Sequence, residues 1–419
     1  MPSRKLYPRF AESRLLDALS DSPVVLIHGP RQCGKTTLAR MVGEKRGYAY
    51  FSFDDDVVRA AAERDPLGFV MDLPPKVILD EVQHVPQLFS ALKNQVDRER
   101  TPGRFLLTGS ANVLLWPRLA DSLAGRMAML RLFPLAQSEL GGQSTDFLAS
   151  LFSGRFKMRR FERLGAELAH RITAGGYPAA LVRTASARRE AWYRDYVETM
   201  VQRDVRDLAR IGSINIMPRL LALASSQSAR LLNITDLAGP FHVSRPTIRD
   251  YVTLLERVFL LEELPSWHSN RLSRLIKTPK LHMSDTGVAA AVLGMDSDGL
   301  QADRTMLGQL LETFIYQELR KQASWQKWDL NFHHFRDKDG YEVDLVLQRG
   351  AGDVAGIEVK AAATVTTSDF RGLRKLAAAA GEKFRAGVVL YDGEASVSFG
   401  DRMYAVPVRA LWEAGGGAA

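Results

Sequence analysis

Short unbroken apolar runs punctuate the first 140 residues. Val24–Ile27, Val77–Leu79 and the run opening at Phe105 are too short for helices and are flanked by polar or turn-forming residues. Such runs predict strands buried on both faces of a parallel sheet. Between the first two, residues 36–46 carry a helical pattern. Residues 141–195 read as mostly helical and arginine-rich. From Ile214 the pattern becomes helix, turn, helix, strand, with Ile248, Val252, Leu255 and Phe259 recurring at helical spacing. Thr235 or Asn233 is expected to cap the first of these helices and Ser244 the second. "FLLEELP" and "PKLHMSD" read as a further pair of strands. The last 120 residues predict a helix, "GQLLETFIYQELRKQ", two strands around 340–360, a second helix and a strand, "AGVVLYDG".

The stretch "GYEVDLVLQRGAGDVAGIEVK" alternates strictly. Residues two apart in a strand share a face. Val343, Leu345 and Leu347 would therefore lie opposite Glu342 and Asp344, and Ile357 and Val359 opposite Glu358 and Lys360. Two readings are open. The charged face is a solvated hairpin, with its acids paired to Lys360 and Lys338, or its carboxylates converge on a metal.

Composition narrows the class. The chain has 419 residues, 46% hydrophobic and 25% charged, enough for two or three domains with cores of their own. No apolar run approaches the roughly 18 residues needed to span a bilayer, and the first residues lack a secretory signal. A single cysteine, Cys33, excludes an intrachain disulfide and a cysteine-built zinc site. His282, His333 and His334 are not spaced as zinc ligands. The expectation is a soluble cytoplasmic protein with no membrane partner. A net charge of +8 and a pI near 9.5 are compatible with a polyanionic partner.

The most specific segment is Gly29-Pro30-Arg31-Gln32-Cys33-Gly34-Lys35-Thr36, set between the first strand and a helix, as a phosphate-binding loop requires. Its backbone N–H groups would cradle phosphate at the positive end of the helix. Lys35 would neutralise the β- and γ-phosphates of ATP, Thr36 would bind Mg²⁺, and Thr37 follows in the same turn. "KVILDEVQ" ends the second strand in Asp80-Glu81, where Asp80 suits the Mg²⁺ shell and Glu81 the base that orients the attacking water. The third strand ends near Thr108, Ser110 and Asn112, any of which could sense the γ-phosphate. Positive charge around Cys33 predicts a thiol pKa below the usual range.

These motifs, with "LLTGSAN", "SLAGRM", "FPLAQSEL", "GGYPAALV" and "YVETMVQRDVRDLARI" in order, resemble a family of bacterial and archaeal AAA-superfamily ATPases with a C-terminal domain of unknown function. The resemblance implies Arg126 and Arg203 as phosphate-sensing arginines. Residues 214–290 resemble a winged helix-turn-helix, which would present Arg245, Thr247 and Arg249, although Asp250 sits beside them and Glu256, Glu262 and Glu263 follow. The C-terminal order resembles restriction-endonuclease-like nucleases of the Pro-Asp…(Asp/Glu)-x-Lys type, with Val343 in place of the proline. That resemblance implies Mg²⁺ or Mn²⁺ on Glu312, Asp344 and Glu358, with Lys360 acting on the attacking water.

The fold expected is therefore α/β. An AAA-type P-loop sheet (1–140) is followed by a helical lid or linker (141–213), a winged-helix-like middle (214–290), a nuclease-like α/β domain (300–412) and a flexible tail (413–419). The function expected is ATP hydrolysis that moves a nucleic-acid-binding C-terminal half, with DNA before RNA as its partner. The alternative is a nucleotide-dependent switch that binds a protein and cuts nothing. Assembly into a homo-oligomer is compatible with either.

Overall fold

The computed structural model describes residues 6–110, 123–205, 214–269, 277–414 and 416–417. They form two compact units. One comprises 8–135 with 257–259, and the other 136–256 with 260–419.

In the N-terminal unit, β1 (Val24–His28), β2 (Ala49–Ser52), β3 (Val77–Asp80), β4 (Phe105–Gly109) and β5 (Met127–Arg131) form a parallel sheet in the order β2-β3-β4-β1-β5. Every residue of β1, β3 and β4 is buried, because both faces of the sheet are covered. Val24, Leu26, Leu79 and Leu107 face one core, with Leu88, Leu92 and Val96 of helix Leu88–Arg98. Their neighbours Val25, Ile27, Ile78 and Leu106 face a second core with Leu15 of α1 (Glu12–Asp21) and Leu38 and Val42 of α2 (Lys35–Glu44). This two-core sandwich aligns the carboxyl ends of β1, β3 and β4, and it is there that the chain places its loop and acids. The sheet is that of a P-loop NTPase, as expected.

The larger unit contains an eight-stranded mixed sheet and a three-stranded one. The small sheet joins β7 (Arg230–Leu231), β8 (Leu261–Leu264) and β9 (Lys280–Met283) in the order β7-β9-β8, all antiparallel. "FLLEELP" and "PKLHMSD" supply β8 and β9. Before them stand helices Ile234–Ala238 and Arg245–Arg257. Asn233, not Thr235, caps the first, accepting the N–H groups of Thr235 and Asp236. Ser244 accepts Thr247 N–H at 3.3 Å. Ile248, Val252 and Leu255 are fully buried. Phe259 is not the helix's next apolar position. The helix ends at Arg257, and Phe259 lies beyond it with φ at 61°.

In the eight-stranded sheet, helix Arg304–Ser324 is followed by β10 (Leu330–Arg336), β11 (Glu342–Arg349) and β12 (Asp353–Lys360) as an antiparallel meander. Helix Arg371–Ala380 then leads to β13 (Phe384–Tyr391), parallel to β12. The predicted order is thus present. The hairpin is not solvated on one face, however. Val346 and Gln348 are buried along with Val343, Leu345 and Leu347. Helices pack on both β11 and β12, so simple alternation overstates the exposure of the charged positions. The free edge of β10 is covered by chain from the small sheet, since Trp267 N–H donates to His334 O at 2.6 Å and His334 N–H to Pro265 O at 2.9 Å.

The expected lid does not stand apart. Beside β13 run β15 (Met403–Pro407) and β14 (Ala395–Ser398), and β6 (Arg159–Arg160) pairs with β14. Asp392 accepts the N–H groups of Leu164 and Gly165 and the Arg163 guanidinium. Helical pattern alone could not show that this segment lends a strand to a sheet two hundred residues away. Among the described residues no helix is long and apolar enough to cross a membrane.

Gly372 fixes helix Arg371–Ala380 on β11, because a Cβ there would lie 1.8 Å from the carbonyl oxygen of Glu342. Backbone cannot yield as a flexible side chain can. Gly372→Ala is expected to cost about 1–3 kcal/mol. Differential scanning calorimetry should show a lower Tm for the transition of this unit, and an unchanged Tm would contradict the packing.

Candidate functional site

The phosphate loop leaves β1 at Gly29 and enters α2 at Lys35. Gly29, Gln32 and Gly34 have φ of 152°, 60° and 105°, the left-handed region that lets successive N–H groups turn inward. At Gly29 a Cβ would meet Leu132 O at 2.1 Å, so no side chain fits. Arg9 braces the loop, its guanidinium donating to Cys33 O at 2.8 Å and Phe133 O at 2.6 Å. Lys35 is 4% exposed and donates from Nζ to Pro30 O at 2.8 Å. Its ammonium therefore sits folded over the loop.

Asp80 closes β3 and is the meeting point of four elements. Its Oδ1 accepts from Thr36 Oγ1 at 2.8 Å and from the Thr108 hydroxyl, and its Oδ2 accepts from Tyr50 OH at 2.8 Å. Burial and then the bond to Asp80 push the Tyr50 phenol up to about 12. The next residue, Glu81, is left-handed at φ 57°. The Gln83 amide donates to Glu81 Oε2 and to Ser110 Oγ, while Ser110 N–H donates back to Gln83 Oε1. Burial works to raise the pKa of Glu81. The charge of Lys35, the Gln83 bond and the charge of Arg31 outweigh it and hold the carboxyl below its ordinary range. Glu81 is thus an anion near neutral pH. His28, lowered to about 4 by burial and then by Arg131 and Lys35, is neutral.

Most of the predicted nucleotide residues converge here: the loop Gly29–Thr36, Asp80, Glu81 and, through Gln83, Ser110. Thr37 is exposed on α2. Arg126 instead grips Asp97 with Nε at 2.5 Å and Nη2 at 3.1 Å. Arg203 is exposed on the turn Met200–Val205 of the other unit, and Asn112 lies outside the described residues. The expectation for Cys33 needs correction. Its side chain is fully buried, and burial pushes the thiol up despite Lys35 and Arg9. Tyr50, Gln83 and His28 were not legible as site residues. β2 carries no motif, and the link from Gln83 to Ser110 joins separate strand ends.

In the larger unit Glu312, Asp344, Glu358 and Lys360 also come together, but around a residue the sequence did not signal. Lys280 Nζ, at the start of β9, lies 2.7 Å from Glu312 Oε1 and 3.2 Å from Asp344 Oδ1. Asp344 Oδ2 accepts Val359 N–H at 2.9 Å, and Lys360 Nζ donates to Glu358 Oε1 at 2.9 Å. Glu358 Oε2 is buried without a partner. Burial and then the charge of Asp344 raise Glu358 to about 8 and Glu312 well above the usual carboxylate range. Among the described residues no group of three His, Cys, Asp or Glu side chains is arranged to hold a metal ion. The expected metal set is thus met by an ammonium lying between two of its three carboxylates.

Three comparisons bear on these sites. Residues 21–141 match the model of an AAA domain, 165–299 a domain of unknown function (DUF8612) and 307–411 another (DUF4143). The chain thus couples an AAA-type P-loop domain to a DUF4143 domain. Uncharacterized proteins of Mycobacterium bovis and Mycobacterium tuberculosis are each 29% identical over 400 residues, covering 95% of this chain and 83% of theirs. Among solved structures, a Walker-type ATPase of Pyrococcus abyssi is similar at 15% identity over 68% of this chain and 96% of its own, with a TM-score of 0.42. The Thermotoga maritima RuvB Holliday junction branch migration motor is similar at 19% over 61% and 89%, with a TM-score of 0.29.

The raised pKa of Glu358 has a definite sign. From its ordinary 4.5 up to about 8 the folded chain keeps a proton that the unfolded chain releases. The native state binds more protons, so stability falls as pH rises through that window. Urea denaturation at a series of pH values should show this decline, and Glu358→Gln should flatten it. An equally steep decline in the variant would place its source elsewhere.

Proposed function

We propose that this AAA-domain protein is an Mg²⁺-dependent ATPase whose C-terminal half is a nucleotide-driven binding module that does not cut its partner. The observation that supports ATP turnover is the convergence of Thr36, Asp80 and the ionised Glu81 beside Lys35. Oxygen donors on Thr36 and Asp80 fit a hard divalent cation. When bound, Mg²⁺ would supply charge neutralisation at the β- and γ-phosphates. Lys35 exchanges the Pro30 carbonyl for phosphate oxygen, gaining a charged acceptor in place of a neutral one. The loop N–H groups and the start of α2 receive the remaining phosphate charge. Glu81 accepts a hydrogen bond from the attacking water and aims it, while Gln83 holds Glu81 and Ser110 at fixed separation.

For the C-terminal half, the helix–turn–helix and strand pair support a winged-helix reading, and the meander with its flanking helices supports a nuclease-like one. Three paired cations favour a protein partner over nucleic acid. Arg249, one of the two arginines at the start of the recognition helix, is engaged by both carboxylate oxygens of Glu263. A cation so paired is offset as a phosphate contact. Lys280 and Lys360, the other cations near the acids, are likewise engaged.

Lys35→Ala is expected to abolish ATP binding, because Lys35 meets charge already present in the ground state. Glu81→Gln should keep binding and lose turnover by about a hundredfold or more, since Glu81 acts on the water in the transition state. Equilibrium binding and phosphate release on the pure protein check both. Wild-type turnover in Glu81→Gln would remove it as the base. ATPase stimulation by DNA or RNA, or Mn²⁺-dependent cleavage of either, would overturn the reading of the C-terminal half.

A further inference from the structure

The carboxylates of Glu312, Asp344 and Glu358 come from helix Arg304–Ser324, β11 and β12 of one α/β domain. Lys280 comes from elsewhere. It begins β9 of the small sheet, where its backbone is paired with Leu231 and Leu264. The same small sheet continues into residues 265–267, which are bonded to β10 through Pro265, Trp267 and His334. Lys280 is therefore held against the acids by architecture on both sides, and its side chain is 7% exposed. A surface lysine resting on an acidic patch would have neither property.

We propose that Lys280 is a built-in cation, occupying the place a divalent metal would take among Glu312, Asp344 and Glu358, and that the domain consequently binds no metal there. This deepens the reading of the C-terminal half as a non-cleaving module. The contacts engage four of the six carboxylate oxygens. Both oxygens of Asp344 are engaged, one by Lys280 and one by Val359 N–H, and one oxygen each of Glu312 and Glu358 faces a lysine. Three carboxylates against two ammonium groups leave one negative charge. A proton held within the Glu312–Glu358 pair, both pushed upward by burial and Asp344, balances it. A metal dication added to this arrangement would meet a like charge within contact distance of its ligands. Expelling Lys280 into water would be needed first, and breaking a buried pair this way is costly.

A test follows from the geometry. Lys280 also lines a cleft of about 660 Å³ with Arg230, Asn233, His334, Arg336 and Glu342. Shortening its charge to a neutral side chain would leave a hard-oxygen set reachable from solvent through that cleft. The probe is Mn²⁺ alone, without nucleotide, measured by electron paramagnetic resonance and titration calorimetry on the full chain. Wild type and Lys280→Arg should show no Mn²⁺ that Asp344→Asn removes. Lys280→Met should gain about one Mn²⁺ per chain, at least roughly tenfold tighter than wild type at the cluster, and lose it in Lys280→Met/Asp344→Asn. Thermal melting establishes that each variant folds. If Lys280→Met does not fold, wild type against Asp344→Asn still decides. Mn²⁺ bound by wild type and lost on Asp344→Asn overturns the proposal, and its absence there supports it. A folded Lys280→Met that gains no Mn²⁺ overturns it too. Loss of ATP turnover would count against the ATPase and leave this site untouched. Cleavage without cluster metal would count against the non-cleaving reading alone.

Discussion

A buried carboxylate accepting three hydroxyl groups organises the nucleotide site. Asp80, 4% exposed, takes bonds from Thr36 on α2, Tyr50 on β2 and Thr108 on β4. Each donor comes from a different element, so the ends of three strands and the first turn of α2 are fixed relative to one anion. Leaving a buried polar group unsatisfied costs about 1–3 kcal/mol, and a charged one more. The same constraint places Glu81 next to the loop, because the chain leaves Asp80 through a left-handed residue and folds back to set Gln83 against Ser110. Lys35, four loop positions beyond Arg31, then supplies the charge that keeps Glu81 ionised.

The C-terminal cluster solves the same electrostatic problem differently. Asp80 is satisfied by neutral hydroxyls, which can turn their protons away and offer lone pairs when a cation arrives. Asp344 is satisfied by a backbone N–H and a lysine, neither of which can. On the proposed reading one carboxylate is prepared for a metal and the other is already neutralised, although the two acidic constellations look alike in sequence.

Legibility followed how local each signal is. The loop Gly29–Thr36 and the pair Asp80-Glu81 are contiguous motifs at strand ends, and both could be read directly. The meander β10–β12 with its helices was readable from periodicity, because each strand is continuous. Tyr50 reaches a partner 30 residues away and Gln83 ties Glu81 to a residue 27 positions on, and no spacing rule connects them. Lys280 sits 32 residues from Glu312 and 64 from Asp344, inside a strand assigned to a different module. Cys33 misled for a related reason. Neighbouring charge can be inferred from sequence, whereas complete burial, which wins, cannot.

On the proposed reading Asp80 is the residue that couples Mg²⁺ to nucleotide. Titration calorimetry of ATP with and without Mg²⁺, on wild type and Asp80→Asn, measures that coupling. Without Mg²⁺ the two should bind ATP about equally. With Mg²⁺ the wild type should tighten by at least about tenfold and Asp80→Asn by far less. The same Mg²⁺-dependent gain in both proteins would contradict a metal-coupling role for Asp80.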